Sequence, residues 1–389
     1  MRKIVIFGST GSIGTSLIKI LKKNIKEFKI ELLTAHTNYK KLLKQAELLN
    51  VKNIIITDNK SFLIVKKILK KQNKHINIYN DFNSFKKIFK DEKIDYTMSS
   101  ISGFEGLKPT LEIIKFTKTI AIANKESIIC GWSLIKKKLN KHNTKFIPID
   151  SEHFSIWSLL DKVKNDNIEK VYITASGGPF RKYSLDRFKL ITPKKALKHP
   201  NWSMGKKISI DSATMMNKVF EIIEAKKIFD LRYNQLQILI HPQSYLHAIV
   251  KFNNGLTKLL VHDTNMAIPI FNSIYFNSDK KINSKYLDLK ILNNLNLELV
   301  DHKRFPVIKI IEKLVNKDSL FETVIVSAND RLVYKFLNNE IKFLDISSIL
   351  LKIINLKEFK KLKKIKPKNV DEISKLANYV SIKVNSLSV

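Results

Sequence analysis

A glycine-rich stretch near the start of the chain constrains its fold more than any other feature. Residues 3–8 form a short apolar run that predicts a buried parallel strand, and a helical pattern follows through Leu17, Ile18 and Leu21. Between them lies Gly8-Ser9-Thr10-Gly11-Ser12-Ile13-Gly14. Glycines at this spacing allow a tight turn, a close approach of the backbone to a pyrophosphate and close packing of helix on strand. The sequence therefore predicts a Rossmann-type parallel sheet with a dinucleotide site.

The turn after the second predicted strand bears on the choice of dinucleotide. The strand covers residues 28–35 and ends in Ala35-His36-Thr37-Asn38, with Lys40 and Lys41 close behind. Folds selective for NAD place an Asp or Glu near this point to hold the ribose hydroxyls, and a carboxylate there would repel a 2′-phosphate. Because no carboxylate is present at this turn, the sequence favours NADP.

Further strand–helix units extend the predicted sheet. Strands are expected at 53–57, 94–100 and 119–123, and the last of these leads into Asn124-Lys125-Glu126-Ser127. Ligands of such sheets bind beyond the carboxyl ends of the strands, which is where this polar cluster falls. Lys125 is a candidate for polarising a substrate oxygen or moving a proton, and a surface lysine in a turn is the alternative.

Two carboxylates follow the next predicted strand, at 145–149. Asp150 and Glu152 alternate at i and i+2, which places both on one face of an extended segment. Carboxylates that converge without cysteine suit a hard divalent ion such as Mg²⁺ or Mn²⁺, and Glu221 is a candidate third ligand. A solvated strand end and a general acid–base pair are the alternatives.

Two loops have the composition of anion-binding segments. A predicted strand at 171–176 leads into Ser176-Gly177-Gly178-Pro179-Phe180, whose glycines allow backbone N–H groups to face an anion. His199-Pro200-Asn201-Trp202-Ser203-Met204-Gly205 contains Pro, Gly and Trp, and it predicts a mobile loop at about 196–206.

The segment after the second loop predicts a helix that carries polar residues. Asp211 and Ser212 are good N-cap residues, so Ser212 is expected at a helix N-terminus suited to a phosphate. Asn217 and Lys218 are expected to reach the same anion, and Glu221 lies on the same helix face as Asn217. A capped amphipathic helix with solvated polar residues is the alternative.

The rest of the chain carries fewer signals. A strand predicted at 236–240 leads into His241-Pro242-Gln243-Ser244-Tyr245-Leu246-His247, which we interpret as a sheet strand with polar interface groups rather than a zinc site. The Lys- and Asn-rich stretch from about 276 predicts a linker. Helices are expected at 305–317 and 321–338, and the tail predicts a further small helical unit.

The formal net charge of +35 raises the class of nucleic-acid-binding proteins as a rival interpretation. Lys is scattered over almost every segment, whereas dedicated nucleic-acid surfaces concentrate basic residues and interleave aromatic ones. We therefore expect no specific nucleic acid as partner.

No apolar run approaches membrane-spanning length, so we also expect no membrane partner. Cys130 is the only cysteine and no signal peptide is evident, which favours a reducing, cytoplasmic location.

Taken together, these motifs resemble the 1-deoxy-D-xylulose 5-phosphate reductoisomerase family. The resemblance covers most of the chain to about residue 275, and Ala328-Asn329-Asp330 extends it weakly. It implies conversion of 1-deoxy-D-xylulose 5-phosphate to 2-C-methyl-D-erythritol 4-phosphate, with NADPH and Mn²⁺ or Mg²⁺, Co²⁺ being a further possible ion. This reaction belongs to the non-mevalonate route to isoprenoid precursors. A homodimer is also implied.

The resemblance implies a division of the chain into domains. Residues 1–149 would form the NADPH-binding Rossmann domain, and residues 150–275 a central α/β domain for catalysis and dimerisation. Residues 276–300 would be a linker, and residues 301–389 a small C-terminal helical domain.

The resemblance also implies residue roles. The metal ligands would be Asp150, Glu152 and Glu221. The catalytic residues would be Lys125, Glu152 and His199. The substrate-binding residues would be Lys125, Ser151, Glu152, Ser176, His199, Trp202, Ser212, Asn217, Lys218 and Glu221. The cofactor-binding residues would be Thr10, Gly11, Ser12, Ile13, His36, Thr37, Asn38, Asn124, Glu126 and Gly205.

The chain departs from the family pattern at one turn, and one other class of enzyme shares its glycine-rich loop. The family's turn after the second strand is typically Ala-Gly-x-Asn, often with Lys at the third place, whereas this chain has Ala35-His36-Thr37-Asn38. A semialdehyde dehydrogenase also opens with a similar glycine-rich loop, but it needs a thiolate nucleophile. Cys130, the only thiol, lies in an apolar stretch with no base nearby in sequence.

Overall fold

The chain divides into two compact units. The structure, a computed structural model, describes residues 1–72, 75–90, 92–160, 167–202, 204–276 and 278–387. Unit 1 comprises Met1–Ser127, Ile135–Asp150 and Met266–Ile282, and unit 2 comprises Ile128–Leu134, Ser151–Asn265 and Asn283–Val389. The domain division proposed from the resemblance stays a prediction. Ser203, in the predicted mobile loop, lies outside the described residues.

Unit 1 is built on a parallel sheet, as predicted. Its described strands lie in the order β4-β3-β2-β1-β5-β6-β7, and all neighbouring strands are parallel. The strand order therefore reverses between β1 and β5, which is the switch point where ligands of such sheets bind. The strands are β1 Arg2–Phe7, β2 Phe28–Ala35, β3 Asn53–Ile56, β4 Asn77–Tyr79, β5 Ile94–Ser99, β6 Thr117–Ile122 and β7 Lys145–Pro148.

Apolar side chains on both faces of this sheet form the core of unit 1. Ile4, Val5, Ile6 and Phe7 of the central strand are fully buried, as expected for a strand covered by helices on both sides. β4 is the strand that the sequence pattern does not predict, because it is short and only half-buried. The first six helices are α1 Ser12–Lys22, α2 Tyr39–Leu48, α3 Asn59–Lys71, α4 Phe85–Phe89, α5 Leu107–Ile113 and α6 Lys125–His142.

Unit 2 contains a mixed sheet. Its described strands lie in the order β11-β10-β8-β9-β12, with β8 and β9 parallel and the other pairs antiparallel. The two-residue β12 comes from the predicted linker, so part of that stretch is ordered against β9. The strands are β8 Ile168–Ala175, β9 Leu236–Ile240, β10 Leu246–Phe252, β11 Thr257–Val261 and β12 Glu298–Leu299.

The remaining helices confirm one C-terminal prediction and correct another. α13 matches the helix predicted at 321–338, whereas the helix predicted at 305–317 is a 3₁₀ helix, Pro306–Lys313. Within the described residues, every helix falls short of the length or hydrophobicity that crossing a bilayer requires. The helices are α7 Ser151–Leu159, α8 Pro193–Ala196, α9 Lys206–Thr214, α10 Met216–Ile228, α11 Ala267–Tyr275, α12 Leu289–Asn293, α13 Phe321–Leu337, α14 Phe343–Ile353, α15 Lys357–Lys360 and α16 Val370–Leu387.

The predicted helix start at Asp211 and Ser212 is wrong. Both residues lie in the second half of α9, and the chain then breaks at Met215, whose φ is 67°. α10 starts immediately afterwards, so Asn217 and Lys218 occupy its first turn. Asp211 does not cap a helix here: its carboxylate instead accepts from the amide of Asn329 on α13 and pairs with Lys207.

The predicted extended segment at Asp150 and Glu152 is also wrong. α7 begins at Ser151, so Glu152 lies in the first turn of a helix, where a carboxylate is stabilised by the helix dipole. The i, i+2 argument for a shared face therefore fails, because it assumes a strand.

The C-terminal end of α6 allows a test of its backbone geometry. Asn143 ends the helix in the left-handed region, at φ 51° and ψ 44°, and it is exposed. We expect Asn143→Ala to lower the free energy of unfolding by about 1 kcal/mol, because Ala is strained at positive φ, whereas Asn143→Gly leaves it equal or slightly higher. Urea denaturation measures both.

The exposed Lys137 inside the same helix serves as the control. There the order of the two substitutions reverses, since Gly costs about 1 kcal/mol relative to Ala in a helix interior. An equal effect of Ala and Gly at position 143 would contradict the left-handed assignment.

Candidate active site

The glycine-rich turn of unit 1 adopts a conformation that side chains would prevent. Gly8 has φ +66°, and a Cβ there would lie 2.6 Å from the carbonyl oxygen of Ser100. A Cβ on Gly14 would lie 2.5 Å from the Cα of Ser9, so this glycine sets the close packing of α1 on the turn. The expected cofactor contacts are all at the N-terminus of α1 or just before it, with Gly11 and Ser12 exposed and Thr10 and Ile13 half-buried.

The turn after β2 supplies the next expected cofactor contacts. His36, Thr37 and Asn38 are all exposed. His36 Nδ1 lies 2.9 Å from the hydroxyl of Thr57. Asn38 caps α2, since its side chain accepts a hydrogen bond from the backbone N–H of Lys41 at 3.3 Å.

Asn124 and Glu126 are both buried, in contrast to the other expected cofactor residues. The amide of Asn124 donates to the carbonyl oxygens of Ile101 and Gly103 and accepts from the N–H of Ser127. Its side chain therefore caps α6 and fixes the loop after β5. The next residue, Lys125, forms an ion pair with Asp150 at the end of unit 1.

Unit 2 brings Glu152 and Glu221 together from different helices. Their carboxylate oxygens lie within 4.8 Å of each other. The ammonium of Lys218 lies 2.5 Å from an oxygen of each, and Asn217 donates to the second oxygen of Glu221. Glu221 is 1% exposed, so Lys218 compensates a charge that burial would otherwise make costly. Ser151 also donates to Glu152. Glu152, Asn217, Lys218 and Glu221 thus form one hydrogen-bonded cluster.

The loop after β8 lies beside the end of α9. Gly177 and Gly178 have φ values of 81° and 69°, which side chains rarely adopt. A Cβ on Gly178 would lie 2.8 Å from the carbonyl oxygen of Ser212, so the glycine permits this close approach. The Ser176 hydroxyl accepts from the N–H of Gly178 at 3.1 Å. Gly178 therefore contacts the backbone of Ser212 and donates to Ser176, and the shared role of these two serines in binding an anion stays a prediction.

His199 is held beside this loop in a defined tautomer. Its Nδ1 accepts hydrogen bonds from the backbone N–H groups of Asn201 and Trp202, at 3.1 and 3.0 Å. Nδ1 is therefore unprotonated, and Nε2 donates to the Ser176 hydroxyl at 3.2 Å. Burial, with a further contribution from the positive charge of Lys218, lowers the pKa of His199 to about 4.

The loop of Trp202 packs on the segment that follows β9. Asn201 donates to the Pro242 carbonyl oxygen at 2.7 Å and to the Ser244 hydroxyl at 2.8 Å. The interpretation of residues 241–247 as one strand is wrong, because a turn separates β9 from β10. Trp202 meets the ring of His247 edge-on, at 6.2 Å between centroids. Gly205, the last expected cofactor residue, is exposed at the N-terminus of α9.

Two buried contacts of the site are missed by the sequence. His153 is buried behind Glu221 and donates from Nε2 to the Glu221 carbonyl oxygen at 2.9 Å, with Glu224 3.9 Å from its Nδ1. Asn329 of α13 donates to Asp211 of α9 at 2.7 Å. The Asn-Asp pair inside a predicted helix was the available signal for the second contact, but the partner of Asn329 is 118 residues away.

The thiol required by the dehydrogenase alternative is inaccessible. Cys130 is 2% exposed and lies inside α6. A buried thiol does not serve as a nucleophile for a substrate in solution. The structure therefore argues against a semialdehyde dehydrogenase.

The fold and these residues define a class of protein. Unit 1 has the sheet, switch point and glycine-rich turn of a dinucleotide-binding oxidoreductase. Unit 2 adds a hard-ligand pair of carboxylates beside hydroxyl, amide and ammonium donors suited to an anionic substrate.

Comparison with known proteins identifies the family. Residues 4–131 match the family model of 1-deoxy-D-xylulose 5-phosphate reductoisomerase, residues 146–229 match its C-terminal domain model, and residues 262–381 match a further DXP reductoisomerase C-terminal domain model. The chain is 70% identical to the reductoisomerase of Pelagibacter ubique over 100% of both chains. It is 40% identical to that of Wolbachia pipientis wMel, over 90% of this chain and 89% of the relative.

Solved structures agree with this assignment. A Zymomonas mobilis reductoisomerase in complex with NADPH superposes with a TM-score of 0.89 at 31% identity, covering 100% of this chain and 99% of that one. A reductoisomerase in complex with NADPH, fosmidomycin and magnesium gives a TM-score of 0.88 at 30% identity, covering 100% and 97%. The chain belongs to the 1-deoxy-D-xylulose 5-phosphate reductoisomerase family.

The tautomer of His199 generates a prediction. Because burial and the positive charge of Lys218 both disfavour the imidazolium form, we expect a pKa of about 4 for His199, below its ordinary value of 6.5. Protonation at Nδ1 would also break the two backbone hydrogen bonds that this atom accepts. The folded state favours the neutral form, so this residue's contribution to stability is present above pH 6.5 and is lost as the pH falls towards 4. NMR of the ring protons measures the midpoint. The His199→Gln variant assigns the signal, and a midpoint near 6.5 would contradict the described hydrogen bonds.

Proposed function

We infer that the chain catalyses the NADPH- and divalent-metal-dependent rearrangement and reduction of 1-deoxy-D-xylulose 5-phosphate to 2-C-methyl-D-erythritol 4-phosphate, in isoprenoid precursor synthesis. One observation carries this inference beyond family membership: the ammonium of Lys218 lies 2.5 Å from a carboxylate oxygen of both Glu152 and Glu221, and Asn217 donates to the second oxygen of Glu221. A site of this kind offers hard oxygen ligands at one end and phosphate donors at the other.

The substrate phosphate is proposed to bind the loop of Ser176 together with Ser212, Asn217 and Lys218. The Ser176 hydroxyl accepts from His199 and from the N–H of Gly178, which leaves its own proton to donate to an anion. Neutral His199 is thus proposed to orient the hydroxyl, and Trp202 to cover the bound substrate. Binding energy from a phosphate remote from the reacting carbons would then position them.

The metal is proposed to bind Asp150, Glu152 and Glu221. Three carboxylates form the donor set that Mg²⁺ and Mn²⁺ prefer, with Co²⁺ also possible, so the residues fit the ion. When bound, the metal supplies a Lewis acid for the substrate's ketone and neighbouring hydroxyl oxygens while the carbon skeleton rearranges. Glu221, as a proposed metal ligand, is oriented by two contacts. Asn217 donates to its carboxylate, and His153 donates to its backbone carbonyl oxygen.

Lys125 and Ser151 are proposed to bind the substrate's oxygen atoms. The ammonium of Lys125 pairs with Asp150, which orients it. From there it is suited to polarise a substrate oxygen and to exchange a proton with it. Ser151 donates to Glu152, which is proposed to act both as metal ligand and as a catalytic carboxylate.

NADPH is proposed to bind the glycine-rich turn through Thr10, Gly11, Ser12 and Ile13, with its adenosine end towards residues 36–38. The exposed N-terminus of α1 suits the pyrophosphate, because its N–H groups and dipole attract an anion. Asn124, Glu126 and Gly205 are proposed to complete the cofactor site. When bound, NADPH supplies the hydride for the reduction step.

NADPH oxidation tests this function. With 1-deoxy-D-xylulose 5-phosphate present, we expect turnover that requires Mn²⁺ or Mg²⁺ and stops when a chelator removes the ion. Glu221→Gln should lower kcat/KM by about 100-fold or more, since it removes a charged ligand.

Glu169→Gln is the matched control, because this acid is exposed on β8 and pairs only with the exposed Lys251 among the described contacts. It should retain turnover. Turnover of the wild-type chain that is indifferent to the chelator would rule out the proposed metal site.

A homodimer and a cytoplasmic location are also proposed. β11 lies at the edge of its sheet and exposes 46% of Leu259, and Leu256, just before the strand, is 59% exposed. An exposed apolar edge strand favours pairing with a second chain. The single, buried cysteine suits a reducing compartment.

Light scattering tests the dimer. We expect a mass of twice 45.1 kDa for the wild-type chain. Leu259→Lys should shift it to the monomer because it places a charge on the edge strand. Leu190→Lys, at another exposed leucine, should leave the mass unchanged. A dimer that persists in Leu259→Lys would exclude this edge as the interface.

A further inference from the structure

α2 holds the glycine-rich turn with two side chains that lie one helical turn apart. The ammonium of Lys41 donates to the carbonyl oxygen of Thr10 at 2.9 Å and to the hydroxyl of Thr15 at 2.8 Å. Four residues later, the buried amide of Gln45 donates to the carbonyl oxygen of Ser9 at 2.9 Å and accepts from its hydroxyl at 2.8 Å. Residues four apart share one helix face, so both act on the turn from the same side.

The positive charge of Lys41 is not required for this mechanical role. Gln45 makes the equivalent contacts with a neutral amide. Thr15 lies in the first turn of α1, where the helix dipole is positive, so a cation beside it is electrostatically unfavourable. An anion bound beside Lys41 would offset the repulsion between its ammonium and the helix dipole. The positive charge of Lys41 is therefore better explained by an anionic ligand than by packing.

The position of Lys41 indicates which anion. It lies in the first turn of α2, just beyond the turn that follows β2, and Rossmann folds bind the 2′ substituent of the adenosine ribose near this end of the strand. The turn itself, residues 36–38, contains neither a carboxylate nor Lys nor Arg. Among the residues that the structure describes, Thr10 and Thr15 take two of the three N–H donors of Lys41, which leaves one for a phosphate oxygen.

We propose that Lys41 binds the 2′-phosphate of NADPH and is the residue that makes this chain prefer NADPH to NADH. The inference rests on the NADPH-dependent function proposed above. Since the two dinucleotides differ only in that phosphate, Lys41 contributes to the affinity for NADPH and little to that for NADH. Its contacts with Thr10 and Thr15 fix the ammonium before the cofactor arrives.

Dissociation constants for NADPH and NADH, measured by fluorescence titration without substrate, test the proposal. Lys41→Met removes the charge and keeps the length of the stem. We expect it to weaken NADPH about tenfold or more, as for a lost charge-assisted hydrogen bond, and NADH by less than about threefold. Lys41→Arg should retain most of the preference. Lys44→Met, an exposed lysine on the same helix, makes the same change in net charge and should alter neither constant.

Two results would overturn the proposal. Equal weakening of NADPH and NADH in Lys41→Met would show that Lys41 only holds the turn, and an unchanged preference for NADPH would show that it does not contact the 2′-phosphate. Thermal unfolding of each variant confirms that it is folded. If Lys41→Met does not fold, the ratio of the NADPH and NADH dissociation constants of Lys41→Arg tests the proposal instead. A wild-type chain that binds neither dinucleotide would overturn the proposed function as well, whereas loss of this inference alone leaves wild-type binding and turnover intact.

Discussion

The site of unit 2 depends on one interaction, the ammonium of Lys218 between Glu152 and Glu221. The two acids come from α7 and α10, and carboxylates this close and this poorly hydrated repel each other unless a cation lies beside them. Lys218 supplies that cation at 2.5 Å from each. The ion pairs hold two helices that are distant in sequence in one arrangement, so the acids are ordered before any ligand binds.

Backbone groups then fix the side chains around this cluster. Two N–H groups define the tautomer of His199, and through it the direction in which the Ser176 hydroxyl accepts. His153 holds the main chain of Glu221 through its carbonyl oxygen. Because these partners belong to the backbone, they do not depend on the protonation of other side chains. The geometry is thus preorganised by the fold.

The sequence predicted the local parts of the site well and the transitions between them poorly. The parallel strands and the glycine-rich turn follow from short apolar runs and from glycine spacing, both of which act over a few residues. The break at Met215 was missed because Asp211 and Ser212 were assigned to a helix start by local preference alone. The helix start at Ser151 was missed because the strand was extended past Asp150, a residue type favoured directly before a helix. The residue types proposed for the phosphate and metal sets do not depend on these errors, since their chemistry is independent of the element that carries them.

The sequence by itself determined the sheet of unit 1, its dinucleotide turn and the inventory of acids, amines and hydroxyls. Each of these is a property of neighbouring residues, where periodicity and steric freedom decide the outcome. Only the tertiary structure decided which partners those groups meet. The contacts of Lys41 with Thr10 and of Asn329 with Asp211 join residues 31 and 118 positions apart. Such pairs form because packing of whole elements brings them together, and no local pattern encodes that distance.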